Sequence, residues 1–189
     1  MHLLILTPLL LALASLSSAI LVPLDLPNGL WTSGLQDDGT VITTSLSDPT
    51  LPAIITSNSN STISTSERLA RSAKIAKRRV DCWGTNLDHT GVDKAADSLT
   101  NWAGGGHDLC SPSPSGHNNW FGYIYNGVLV YYCIDQLTGC GNLNNADVRY
   151  ALGQMDAKCR AYEASWFGWD DSASHEIVGK CLTGTAICT

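Results

Sequence analysis

Trp120-Phe121-Gly122-Tyr123-Ile124-Tyr125-Asn126-Gly127-Val128-Leu129-Val130-Tyr131-Tyr132-Cys133 reads as two strands folded about a tight turn. Asn126 and Gly127 both tolerate the positive φ that a two-residue hairpin turn demands, and aromatic and β-branched residues flank them. That turn fixes a register: Tyr125 opposite Val128, Ile124 opposite Leu129, Tyr123 opposite Val130, Gly122 opposite Tyr131, Phe121 opposite Tyr132, Trp120 opposite Cys133. Alternation sorts these residues into two faces. Trp120, Gly122, Ile124, Leu129, Tyr131 and Cys133 form the expected core face. Phe121, Tyr123, Tyr125, Val128, Val130 and Tyr132 form the other. Tyrosine favours half-wet positions, so that face is expected to be outer or interfacial, with Tyr123, Tyr125 and Tyr132 as candidate binding residues.

Helices are expected on either side. Thr90-Gly91-Val92-Asp93 reads as a helix start with Thr90 as cap, followed by Val92, Ala95, Ala96, Leu99 and Trp102 at helical spacing. Gly104-Gly105-Gly106 ends it as a C-terminal cap; a phosphate loop would need a Gly-Lys-Ser/Thr entry that is missing. A second helix begins near Asn144 or Asn145 and carries Val148, Ala151, Leu152, Met155, Cys159 and Tyr162 on one stripe. Gly153 within it suggests close helix–sheet approach. A short strand at residues 80–83 and a last one over residues 175–182 complete the order β-α-β-β-α-β. The expected fold is α+β, a small disulfide-bonded two-layer sandwich of ferredoxin-like type with both helices on one sheet face.

All seven cysteines, Cys82, Cys110, Cys133, Cys140, Cys159, Cys181 and Cys188, follow the basic triplet Lys77-Arg78-Arg79, and none precedes it. An apolar run over residues 3–16 is shorter than the roughly 20 residues that span a bilayer. With Ser17 and Ala19 at signal-peptidase spacing, it reads as a signal peptide cleaved after Ala19 (residues 1–19). From residue 20 to about 66 the chain is rich in Ser, Thr, Pro and Asn, and is expected to be a disordered propeptide. Asn60-Ser61-Thr62 is a candidate N-glycosylation acceptor. The triplet at 77–79 is expected to be cut by a kexin-type protease; the alternative is a solvated basic linker. These readings divide the chain into 1–19, a propeptide 20–79 and a mature cysteine-rich domain 80–189, secreted and extracellular.

The mature part holds five Lys/Arg against twelve Asp/Glu, a net −7. Such an acidic domain repels phosphate backbones, so neither nucleic acid nor stable membrane insertion is expected. The helix and hairpin faces suggest Cys133–Cys159, Cys110–Cys140 and Cys82–Cys181, which leaves Cys188 for a disulfide-linked homodimer; equally open is that Cys188 is paired and another cysteine is spare. Without a Cys-x-x-Cys pair, no metal site is expected, and no cofactor. His89, His107, His117 and His175 read as surface residues, with His107 or His175 as a general base the alternative. Trp166-Phe167-Gly168-Trp169-Asp170-Asp171 is read as a loop. Trp166, Phe167, Trp169, Asp170 and Asp171 would form a sugar-stacking or protein-docking platform there, or a flap closing the core.

Cys82-Trp-Gly just after the basic triplet, Leu129-Val-Tyr-Tyr-Cys133, Cys140 and a helix ending at Cys159 resemble the small cysteine-rich secreted proteins of fungi. These include killer toxins and host-directed effectors, and the layout is most similar to the Ustilago-type α/β-sandwich killer toxins. The resemblance covers the mature region. It implies a non-enzymatic toxin-like or effector protein that binds an extracellular target on a host or competitor. Those toxins carry more cysteines and a functional basic side chain, whereas this product is acidic, so their channel activity does not transfer. A carbohydrate- or cell-wall-binding module is the alternative, and a small ribonuclease-like hydrolase a further one.

Overall fold

The hairpin is the spine of the molecule. In the computed structural model, which describes residues 20–36, 38–57, 78–111, 117–134, 139–171 and 174–188, β7 (His117–Tyr125) and β8 (Val128–Ile134) pair in the expected register from Trp120 opposite Cys133 to Tyr125 opposite Val128. Asn126 and Gly127 turn with φ of 48° and 71°. Every residue of β8 is buried, which requires cover on both sides of the sheet.

Two helices cover one side. Asp88, not Thr90, caps α1 (His89–Ala103), accepting from the Gly91 N–H at 2.6 Å. Gly104 closes α1 at φ 48°, as expected of the glycine run. Asn144 caps α2 (Asn145–Lys158) in a reciprocal box with Asp147. Ala95, Leu99 and Ala103 of α1 and Val148, Ala151 and Met155 of α2 pack on Phe121, Val130 and Tyr132. Both helices therefore share a face, but it is the face expected to be outer. Tyr132 is fully buried there because its hydroxyl finds a carboxylate partner, Glu176. Gly153 faces open space, so close packing does not explain it.

The opposite side is covered by the front of the chain. β1 (Ile20–Leu21), β2 (Gly29–Leu35), β3 (Thr40–Ser45) and β4 (Ile54–Ser57) form where disorder was expected. Alone this segment has too few apolar residues to fold; docked, it borrows a sheet edge and a core. β2 pairs antiparallel with β7, and Trp31, Val41, Ile20, Val22 and Leu26 pack on Trp120, Ile124, Leu129 and Tyr131. Lys77, Asn60 and Ala19 lie outside the described residues.

The remaining strands are β5 (Arg78–Asn86), β10 (Glu163–Asp171), β11 (Ser174–Leu182), the small pair β6 (His107–Ser111) with β9 (Gly139–Leu143), and β12 (Ala186–Ile187), which pairs with β1. The main sheet is antiparallel and ordered β4-β3-β2-β7-β8-β11-β10-β5. The fold is α+β, but a ferredoxin-like order would set the first mature strand between the hairpin and the last strand. Here β5 is at the far edge, because β10, read as a loop, intervenes. Among the described residues no helix is long and apolar enough to cross a membrane.

Three disulfides brace this body: Cys82–Cys159, Cys110–Cys140 and Cys133–Cys188. Only Cys110–Cys140 follows the expected pairing. Cys133 points to the side away from the helices and meets the C-terminal Cys188, while Cys159 ends α2 beside β5 and meets Cys82. Cys188 is thus no spare thiol for a dimer. The free cysteine is Cys181, and it is buried.

Candidate functional site

The expected aromatic platform lies on a strand, and strand alternation splits it. Phe167 and Trp169 face α2. Phe167 is buried, Trp169 lies edge-on to it at 4.7 Å between centroids, and Tyr150 of α2 stacks on Trp169 at 6.5 Å. Tyr150 is among the exposed large side chains, so this group has a wet rim. Trp166 points to the other face, half-buried beside the core that holds Trp120 and Trp31. The side chains of Asp170 and Asp171 lie outside the described residues; their backbones pair with His175 and Ser174. Tyr123 and Tyr125 are half-buried against the helix-side core.

Across the strand edge from β10 lie the last two residues of the basic triplet. Arg79 pairs with Gly168, and Arg78 with Trp169. The Arg79 guanidinium sits over the Trp166 ring, 5.3 Å from its centroid, and 3.5 Å from the Asp81 carboxylate. A cation on an indole face at this distance is attracted by roughly 0.5–1 kcal/mol at an exposed site. The residue read as the last before the cut therefore contacts a side chain read as one member of a docking platform. Sequence reasoning named both and had no means of joining them.

Behind this edge, Glu163 ties β10 to β5. Its carboxylate accepts from the Arg160 N–H at 3.3 Å, the Arg160 side chain at 3.2 Å and the Gly84 N–H at 2.7 Å. These bonds, led by those from Arg160, lower its pKa. Lys180, fully buried on β11, donates to Asp156 Oδ1 at 2.6 Å and to the Ala161 carbonyl, pinning the end of α2 to the sheet. A lone lysine on the inward alternation of an apolar strand was the available signal for it.

Among the described side chains, the two histidines do not converge. His89 stacks on Tyr162 at 3.7 Å; His107 stacks on Trp102 at 3.7 Å, its Nε2 2.9 Å from the Trp102 carbonyl. The side chains of His117 and His175 are outside the described residues. Tyr132 donates to Glu176 Oε2 at 2.6 Å, and burial, followed by that carboxylate, keeps its hydroxyl protonated. The hydroxyl is a fixed donor to Glu176. Among the described residues no group of three or more His, Cys, Asp or Glu could hold a metal ion. No family model, no curated protein and no solved structure matches the chain.

Proposed function

We propose that the chain is a secreted toxin-like or effector protein of the fungal kind, cut after Arg79 and acting outside the cell by binding a target. The observation that carries this reading is the guanidinium of Arg79 lying on Trp166. Cutting after Arg79 removes the covalent tether that holds the cation there. Trp166 and the backbone edge of Gly168 and Trp169 then become available, in addition to the already exposed rim with Tyr150 on the other face. Maturation and target binding are one event at one strand edge. Three disulfides suit a protein that works in an oxidising compartment. The kinship with killer toxins rests on leader, basic site and cysteine-rich α+β domain, not on strand order.

Arg79 is engaged in strand pairing, so cutting precedes closure of this edge or waits for it to fray. The test compares secreted wild-type protein with Trp166→Ala and Trp169→Ala in growth-inhibition assays on competitor fungi and in host-response assays. Both variants are expected to reach wild-type secretion and to lose activity at least about tenfold, the range of a central aromatic contact. Unchanged activity would refute the surface. The rim made by Tyr150 and Trp169 also favours a glycan target; signal on a glycan array, lost with Trp169→Ala, would select that reading instead.

A further inference from the structure

The cut at Arg79 is expected to discard the front of the chain, yet the front supplies three of the eight strands of the main sheet and the cover for half of its core. We infer that residues 20–57 are not discarded: after cleavage they remain docked as a second, non-covalently held chain, and the mature protein is a two-chain domain. The inference rests on the processing reading for its biology and on burial, strand pairing and hydrogen bonds for its physics.

Four observations carry it. Trp31, Ile20, Val22 and Val41 are at most 2% exposed, and their contacts are on the far side of the sheet from the helices. Leu30, next to Trp31 on β2, points the other way into the helix-side core, so β2 is bound from both faces. Polar groups are matched across the junction: Thr32 Oγ1 donates to the Trp120 carbonyl at 2.8 Å, the Asn126 N–H donates to Asn28 Oδ1 at 2.9 Å, and Thr183 Oγ1 donates to the Leu24 carbonyl at 2.9 Å. β1 closes the far end on β12, where the Val22 N–H also donates to the Thr185 carbonyl. Release would strip the core from Trp120, Ile124, Leu129 and Tyr131 and leave the edge of β7 open, a liability that proteins avoid.

Charge tells what kind of association this is. Residues 20–57 contain no cysteine, lysine, arginine or histidine and four aspartates (Asp25, Asp37, Asp38, Asp48), while residues 80–189 carry a net −7. The docked segment thus offers the acidic domain no positive charge, the six basic residues of the front (Arg68, Arg71, Lys74, Lys77, Arg78 and Arg79) all lying after it, so the docking of residues 20–57 is apolar and strand-mediated. Added salt screens charge attraction and leaves such docking in place.

To test this without relying on the basic triplet, the recognition sequence of a single-site protease is placed in the stretch 58–77 and the purified full chain is cut there. Under native size exclusion and native mass spectrometry the two pieces are expected to run as one species, separating only in denaturant. Trp31→Ala is expected to weaken retention roughly a hundredfold or more, and raised salt to leave the two pieces together. A free front piece at micromolar protein, a homodimer of the 80–189 piece that sheds it, or release by salt would each overturn the inference. End-group sequencing of naturally secreted protein answers the separate question. Two N-termini, Ile20 and Val80, are expected; an uncut chain would refute the processing reading and leave the docking result to stand or fall by itself.

Discussion

Residues 20–57 and residues 80–189 contribute strands to one sheet by opposite means. The second region carries every cysteine and is held by three disulfides; the first carries none and is held by burial and strand pairing alone. Crosslinks act mainly on the unfolded chain, where they restrict its freedom. Burial acts on the folded state and can be undone one segment at a time. Low cysteine content and a polar composition therefore mark how a segment is secured, not whether it is folded.

The two regions come apart most readily at Trp31. Trp31→Ala removes a buried indole and its hydrogen bond to the Pro27 carbonyl, and is expected to cost about 3–5 kcal/mol in urea unfolding, with the front detaching first. Next comes the paired change Cys82→Ser with Cys159→Ser, expected to cost about 2–4 kcal/mol. Its loss would lower the global transition without loosening the front, the reverse of the Trp31 result.

A smaller effect is pH-dependent. The folded-state pKa of Glu163 is lowered by its bonds to Arg160 and Gly84. Its contribution is therefore complete above the usual glutamate pKa and is lost as pH falls through the lowered folded value. Glu163→Gln should cost stability at neutral pH and flatten the acid limb of the stability curve; an unchanged acid limb would remove Glu163 from the account. The smallest effect is chemical. Burial pushes the Cys181 thiol up to about 12, so a thiol reagent should label it only after denaturation, at one site per chain. Labelling of the native protein at Cys188 would contradict the Cys133–Cys188 bond.

What was legible in the sequence was what neighbours in the chain decide. The Asn126-Gly127 turn, the glycine cap at Gly104 and the helix start near Asn144 are local chemistry, and all three hold. Which hairpin face meets the helices is decided by distant partners, and the tyrosines misled because Tyr132 has Glu176 to satisfy it. The front was missed because composition was averaged over it. Thr40-Val41-Ile42-Thr43-Thr44 is β-branched throughout and was a readable strand signal. Trp166 to Asp171 was read as a loop because strand alternation between a helix-side and a front-side core puts large aromatics at successive positions. The contact of Arg79 with Trp166 joins residues far apart in the chain, and only the pairing of β5 with β10 brings them together.

The claim that the front belongs to the fold is tested most directly by native-state hydrogen exchange on the uncut chain. The account predicts that the amides of Trp31, Thr32 and Ser33 are protected to a degree comparable with those of Tyr131 to Cys133 in the neighbouring hairpin. Exchange of those front amides at the rate of an unstructured peptide, with the hairpin still protected, would contradict it.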